Sequence, residues 1–584
     1  MKKLFALLAI MVVALGTLIA PTMAAPTADL NALAKYFPAT APVLVSFRTD
    51  DAYIKEIDDL FAKIAEQIPG MKQPDKIADQ FDKAIKELIG SGDFNSEVRS
   101  WLGDTASIGL FSFEGVMGRG SSDGKPPHFL AAVSITDQKA AESFWKAVLE
   151  KASKGAYESS TEGDFILFTP GKDAPKSASG IVAIGKDVLL IGAYKEDLAL
   201  DGQSDPLSES ATFTDSISLL PENDYNITVY TNLGDFLKQM MAMQSAMMSS
   251  NPSQAEMMKT LAPFLEKFPP EVVGFTVLDN RSLTIDFAVP YGDLLSEAEK
   301  AGFSTAMPVP VDPAFAGKIL SGSPLVLHST NLGASLEGVL KSLQTQTGMM
   351  SSSGMSADEM KKNMEQINTG VKALTGKDLE KDILPAMTGN YALYLTLSPA
   401  LSDVSSEKDV IKQMPVDFGF LTEMSDPTIS QALMDGVKMA FNMNKSEDAK
   451  LTTEKIGGMD ALVVTIKDKS GNTPFPIELV VTGNDKLFFF GTRRAAEAAL
   501  SDKGGLDNDA AYKEAAGYFV QSPSVIAYLG GDGLKPLGKI IGLTSGKSSQ
   551  AQFEAFLNLL SSASITSSTK DNVGYGRIVW TMPQ

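Results

Sequence analysis

Cysteine is absent from the 584 residues. No disulfide, thiolate nucleophile, zinc finger or iron–sulfur cluster can be built from this chain. Histidine is scarce. His128 and His328 are the two present, so a site needing two imidazole ligands would have to recruit both. Basic residues number 51 against 71 acidic ones, and the net charge is -20. That balance argues against nucleic acid and against an anionic membrane surface as partners. Beyond the N-terminal segment no stretch reaches about 18 uninterrupted apolar residues, so no later membrane span is expected. What is present is ordinary for a folded chain. Hydrophobic residues make up 44% and charged residues 21%, which excludes a disordered or collagen-like polymer. The length suits two to four domains at about 100–200 residues each.

The N-terminus reads as a secretory signal over residues 1–25. Lys2 and Lys3 form a positive start, an apolar run follows from Leu4 to Ala20, and Pro21-Thr22-Met23-Ala24-Ala25 supplies small residues for cleavage. The competing reading is an uncleaved anchor helix. With cleavage near Ala24 or Ala25, the mature chain is expected outside the cytoplasm, periplasmic or released, with no membrane span. No cysteine follows to carry a lipid anchor.

The remaining chain reads as two tandem copies, 26–307 and 308–584. The strand entry at Pro42-Val43-Leu44-Val45-Ser46 has a counterpart at Pro324-Leu325-Val326-Leu327-His328. The stretch from Gly92 to Gly103 before one strand matches Gly376 to Gly389 before another. The hairpin Val182 to Gly192 matches Leu479 to Gly491, with Gly185-Lys186-Asp187 and Gly483-Asn484-Asp485 at the turns, where positive φ is expected. Ile227-Thr228-Val229-Tyr230 matches Val525-Ile526-Ala527-Tyr528. The turn at Asp279-Asn280 matches that at Asp571-Asn572. Pro308 to Pro313 reads as a semi-rigid linker between the copies. Hairpins with short polar turns argue for antiparallel pairing. Helices that do not alternate one-for-one with strands favour an α+β fold, each copy a curved sheet with helices on one face.

These features carry a family resemblance. The Pro-led strand entry, Trp101-Leu102-Gly103-Asp104, and two β-rich copies behind a signal peptide resemble a secreted bacterial family catalogued as domain of unknown function 3352. The resemblance implies an extracytoplasmic protein and supplies no catalytic residues. The second copy departs from it, having Ala386-Met387-Thr388-Gly389-Asn390 where the first has the tryptophan motif.

Motifs that carry chemistry are few and incomplete. Gly542-Leu543-Thr544-Ser545-Gly546-Lys547-Ser548 is one residue short of a phosphate-binding loop and reads as a flexible loop. Ser143 and Lys146 have the S-x-x-K spacing of an acylating serine, but Phe144, Trp145 and Val148 make the same helix an ordinary amphipathic one. His128 reads as a loop residue and His328 as a core residue. The acidic loops Asp201 to Asp205 and Asp507 to Asp509 do not complete a calcium pattern. No metal site and no cofactor are expected.

Methionine is abundant, with 26 residues in clusters. Met240, Met241, Met247 and Met248 lie in one predicted helical region, and Met349, Met350 and Met355 in another. Thioethers suit Cu(I). Flexible methionine surfaces suit apolar ligands. Methionine also fills gaps under a helical flap. The function read from the signal peptide, the duplicated scaffold and the lack of an assembled catalytic motif is a non-enzymatic binding or scaffold module of the cell envelope, its partner an unidentified protein or apolar ligand. The alternatives are a carrier with methionine-rich lids, the seven residues above being the candidate ligand contacts, and a hydrolase with an unrecognised site.

Overall fold

The computed structural model describes residues 25–583 except 69–71, 74, 91, 112–127, 154–155, 173–179, 223, 233, 237, 239–266, 279–280, 301–308, 339–356, 405, 407–415, 445–446, 468–475 and 502–504. Contacts divide the chain into two units, the main boundary in sequence lying between Leu294 and Leu295.

In the first unit the strands are β1 (Val43–Arg48), β2 (Leu102–Leu110), β3 (Phe129–Ile135), β4 (Tyr157–Glu162), β5 (Phe165–Pro170), β6 (Ile181–Ile184), β7 (Val188–Gly192), β8 (Ile227–Asn232), β9 (Pro270–Leu278) and β10 (Ser282–Pro290). Every pairing is antiparallel, in the order β10-β9-β8-β1-β2-β3-β7-β6-β5-β4. Helix α1 (Asp51–Gln67) starts where the Asp50 carboxylate accepts the Tyr53 N–H at 3.0 Å, satisfying a donor that the first turn leaves free. Its buried residues Tyr53, Ile54, Ile57 and Leu60 follow the helical period. Helix α2 (Ile77–Ile89) ends at Gly90, whose φ of 87° is cheap only for glycine. Helix α3 (Gln138–Ser153) buries Phe144, Trp145 and Val148. Helix α4 (Ala211–Ile217) packs on β8, β9 and β10.

In the second unit the strands are β11 (Leu325–Thr330), β12 (Asn390–Leu397), β13 (Val416–Glu423), β14 (Ala449–Ile456), β15 (Met459–Ile466), β16 (Ile477–Gly483), β17 (Leu487–Thr492), β18 (Val525–Gly530), β19 (Ser562–Lys570) and β20 (Val573–Thr581). All pairings are again antiparallel, in the order β20-β19-β18-β11-β12-β13-β17-β16-β15-β14. Each strand stands ten places after the one holding the same position in the first sheet. Single π-helical turns, Asn95–Arg99 and Leu379–Ile383, precede β2 and β12. Its helices include α5 (Ala357–Thr375), α6 (Pro427–Met443), α7 (Arg493–Ala499), α8 (Ala510–Ala516), α9 (Gly531–Ser545) and α10 (Lys547–Leu557).

Three expectations change. Helices were expected on one face of each sheet, yet the second sheet carries them on both. Val326, Tyr394, Leu421 and Phe489 pack with Phe315, Ala495 and Tyr512 on one side. Leu462, Val481 and Phe488 pack with Ile429 and Met434 of α6 on the other. The reason is that β17 is apolar at successive positions, Leu487-Phe488-Phe489-Phe490, so neither face suits water. The Gly185 and Gly483 turns close without positive φ, whereas Asp571 and Asn572 adopt it, at 51° and 64°. Finally, the part of the Pro-rich stretch that is described is not a free linker. Val311 is 6% exposed within the second unit's core, and its N–H donates to the Pro523 carbonyl at 2.8 Å.

Candidate functional site

The feature that stands out in the second unit is an apolar sheet face that its own helices leave open. Side chains alternate between faces along a strand, so registry decides which residues share a side. One row across the sheet runs Ile578, Ile565, Ala527, Leu327, Leu393, Phe420, Phe490, each directly opposite the next. A second row runs Trp580, Ala563, Leu529, Leu325, Leu395, Phe418. No residue in either row carries a charge.

Both ends of this face are covered. Leu537, Ile540 and Leu543 of α9 pack against Leu395, Leu397 and Leu401. Leu433 and Val437 of α6 pack beside Phe420. Between these ends lies a concavity of about 630 Å³, floored by Leu325, Leu327, Leu393, Phe418, Ile565 and Ile578. Leu393 is 52% exposed and Ile565 51%. Large aliphatic side chains left open in a contiguous patch are the usual mark of an interaction surface.

Asp417, Glu454 and Glu478 stand by strand alternation on the opposite face, the one α7 covers, and pair there with its arginines. Arg494 meets Asp417, next to Phe418, at 3.0 Å, and Asp417 also accepts the Thr492 hydroxyl at 2.9 Å. Arg493 is held by Glu478 at 2.5 Å and Glu454 at 2.9 Å. Phe418 and Phe490 meet edge to face, 5.8 Å between centroids. The groove therefore offers hydrocarbon and shape.

The residues singled out for chemistry stay apart from this surface. The Ser143 hydroxyl donates back to the Lys139 carbonyl at 2.9 Å, a helix-internal bond of no nucleophilic character. The Gly542–Ser548 stretch, read as a flexible loop, is instead the end of α9, a turn at Gly546 and the start of α10. His328 is fully buried, stacked on Phe315 at 5.2 Å, with Nε2 3.2 Å from the Asn390 side-chain oxygen. Burial lowers its pKa. His128 lies in a loop, just before β3, and is tied down there. Its Nδ1 lies 2.8 Å from Asp197 Oδ1, a partner 69 positions away that spacing rules could not reveal. Asp509 accepts the Ser321 hydroxyl at 2.5 Å and the Gly322 N–H at 2.7 Å, so it ties a turn. Among the described residues no group of three or more His, Asp or Glu side chains converges as a metal site. Met240, Met241, Met247, Met248, Met349, Met350 and Met355 lie outside the described residues.

None of the floor residues stood out as a site in the sequence. Leu325-Val326-Leu327 reads as a strand entry, and nothing local tells a strand covered on both sides from one with a side left open.

The fold and site together define an α+β protein of largely antiparallel sheet with an open apolar groove in its second unit. Residues 3–580 match the family described as protein of unknown function (DUF3352), and the chain belongs to that family. No curated protein and no solved structure matches it. Among the described residues no helix is long and apolar enough to cross a membrane.

Proposed function

We propose that this is an exported, non-catalytic binding module of the cell envelope, whose second-unit groove takes the apolar face of an amphipathic, basic helix on a partner protein. The observation that carries the reading is the uncharged floor of Leu325, Leu327, Leu393, Phe418, Ile565 and Ile578, open between α9 and α6. The same sheet face already accepts helices at both ends, so a further helix is the shape that continues its packing. A helix also satisfies its own backbone, which a floor without donors or acceptors requires. The net charge of -20 favours a ligand whose outer face is positive. The shared strand order of the two sheets and their recurrent π-turns support a duplicated ancestral unit, and the N-terminal segment supports export.

A synthetic helical peptide with one leucine and one lysine face provides the test, read by fluorescence anisotropy. We expect saturable binding that weakens with salt and falls by about tenfold or more in Leu393→Asp, equivalent to about 1.4 kcal/mol. The matching leucine–glutamate peptide should bind far less. Binding unaffected by Leu393→Asp would sink the proposal. Saturation of the groove by a fatty acid, with no peptide bound, would establish the alternative carrier reading in its place.

A further inference from the structure

We infer that Met439 and Met443 form a sacrificial oxidation site for two-electron oxidants such as hydrogen peroxide and hypochlorous acid. The chain has no thiol to compete, so its thioethers are its softest nucleophiles. These two sit one helical turn apart near the C-terminal end of α6 and are 47% and 72% exposed. The opposite side of α6 is core, with Ile429 fully buried and Met434 at 6%. Met387, Met424 and Met582 are similarly enclosed, at 9%, 6% and 8%. Among the methionines with described side chains, the geometry therefore directs attack to this pair.

In the reaction with peroxide, the thioether sulfur attacks one peroxide oxygen and the O–O bond breaks. An S–O bond forms, the sulfur loses two electrons, and the other oxygen leaves as water. With hypochlorous acid the leaving group is chloride, and the oxygen again ends on sulfur. The sulfoxide oxygen of Met443 or Met439 projects into solvent, where its added polarity is hydrated. The same oxygen on Met434 or Met424 would enter the hydrocarbon cluster around Leu462 and Val481. The exposed pair thus takes up oxidant at positions where the fold tolerates it. Solvent exposure leaves both sulfoxides open to a thiol-dependent reductase, which would return the thioethers.

The test is graded oxidation of the full chain, with peptide mapping by mass spectrometry and thermal unfolding of each sample. Met443 and then Met439 are expected to gain oxygen about tenfold or more faster than Met387, Met424, Met434 and Met582. The unfolding transition should stay in place while only the pair is modified. Equal rates at Met434 or Met424 would overturn the inference, as would loss of cooperative unfolding on modification of the pair alone. The variant Met439→Leu/Met443→Leu keeps helix propensity and apolar volume. It should suffer core oxidation and a falling unfolding temperature at lower oxidant doses than the parent. An unchanged dose response would show that the pair protects nothing.

Discussion

His128 donates or accepts through Nδ1 to Asp197 Oδ1 at 2.8 Å, and its ring lies flat on Tyr194 at 4.3 Å. Asp197 is 4% exposed, and its second oxygen takes the Tyr194 N–H at 3.2 Å. The bond clasps the start of β3 to the turn after β7. In the second sheet the corresponding ends are joined by Asp417 and Arg494. Burial raises the Asp197 pKa, and His128 opposes that rise. The folded carboxyl therefore binds its proton more readily than the unfolded one, and its contribution to stability falls as pH rises through that window. His128→Ala removes the opposing partner. We expect a loss of about 1–2 kcal/mol at neutral pH, moderated by the partial exposure of the imidazole. The loss should shrink in acid, where a protonated Asp197 no longer needs a partner. Thermal unfolding of both proteins across pH 4 to 8 measures this, and a pH-independent difference would contradict it.

Glu56 on α1 is a second carboxyl held against its preference. Its Oε2 is buried without a hydrogen-bond partner, and burial, eased by Arg48 and aggravated by Asp50, pushes its pKa up to about 7. Arg48 is engaged elsewhere, bonded to Asp50 at 2.6 and 2.7 Å. Because the folded pKa is raised, stability is lost as pH climbs from the ordinary carboxyl range toward 7. Glu56→Gln removes the charge and keeps the shape. The variant should unfold about 2–4 °C higher than the parent at pH 8 and show little advantage at pH 5. A parallel offset at both pH values would show that Glu56 is not the titrating group.

His328 tests the opposite sign. It is buried as a neutral ring with Nδ1 unpartnered, and its pKa is lowered chiefly by burial. Below the ordinary histidine range the unfolded chain gains a proton that the folded chain refuses, so stability falls as pH drops. His328→Gln should flatten the decline between about pH 6.5 and 5, although it costs stability at pH 7 by losing the stack on Phe315. Denaturant unfolding at those pH values distinguishes the two effects. An unaltered acid slope would exclude His328 as its source.

Much of this fold is legible from local signals. The turn at Asp571-Asn572 takes the left-handed backbone that those residues tolerate. The buried stripe on α3 follows from Phe144, Trp145 and Val148 at helical spacing. What is not legible depends on distance or on which face is covered. Asp197 meets His128 through the β3–β7 pairing, a contact no window along the chain contains. Leu393 and Ala392 are both apolar neighbours on β12, yet one is half exposed and the other fully buried. Periodicity records that both sides avoid water, and which side stays open is decided by the Phe315 segment, α7 and α8 covering one face while α6 and α9 cover only the ends of the other.

That openness is unequal between the units, which leads to a prediction of stoichiometry. By strand registry, Val45, Ile108, Val273 and Phe287 stand in the first sheet where Leu327, Leu393, Ile565 and Ile578 stand in the second. The second-sheet residues are 38%, 52%, 51% and 36% exposed. Their first-sheet counterparts are half-buried. Among the described residues of the first unit, a small cavity of about 30 Å³ lies beside Phe47, Ile54 and Phe81, far below the roughly 630 Å³ of the second unit's groove. One basic amphipathic helix should therefore bind per chain, despite two sheets of the same order. Titration calorimetry with the leucine–lysine peptide should give a stoichiometry of about one. Leu393→Asp should abolish that heat. Ile108→Asp should lower the unfolding temperature, because its side chain is half packed, while leaving affinity intact in the folded fraction. Two equivalent sites would show that the first floor is as available as the second. Loss of affinity in Ile108→Asp alone would move the site to the first unit.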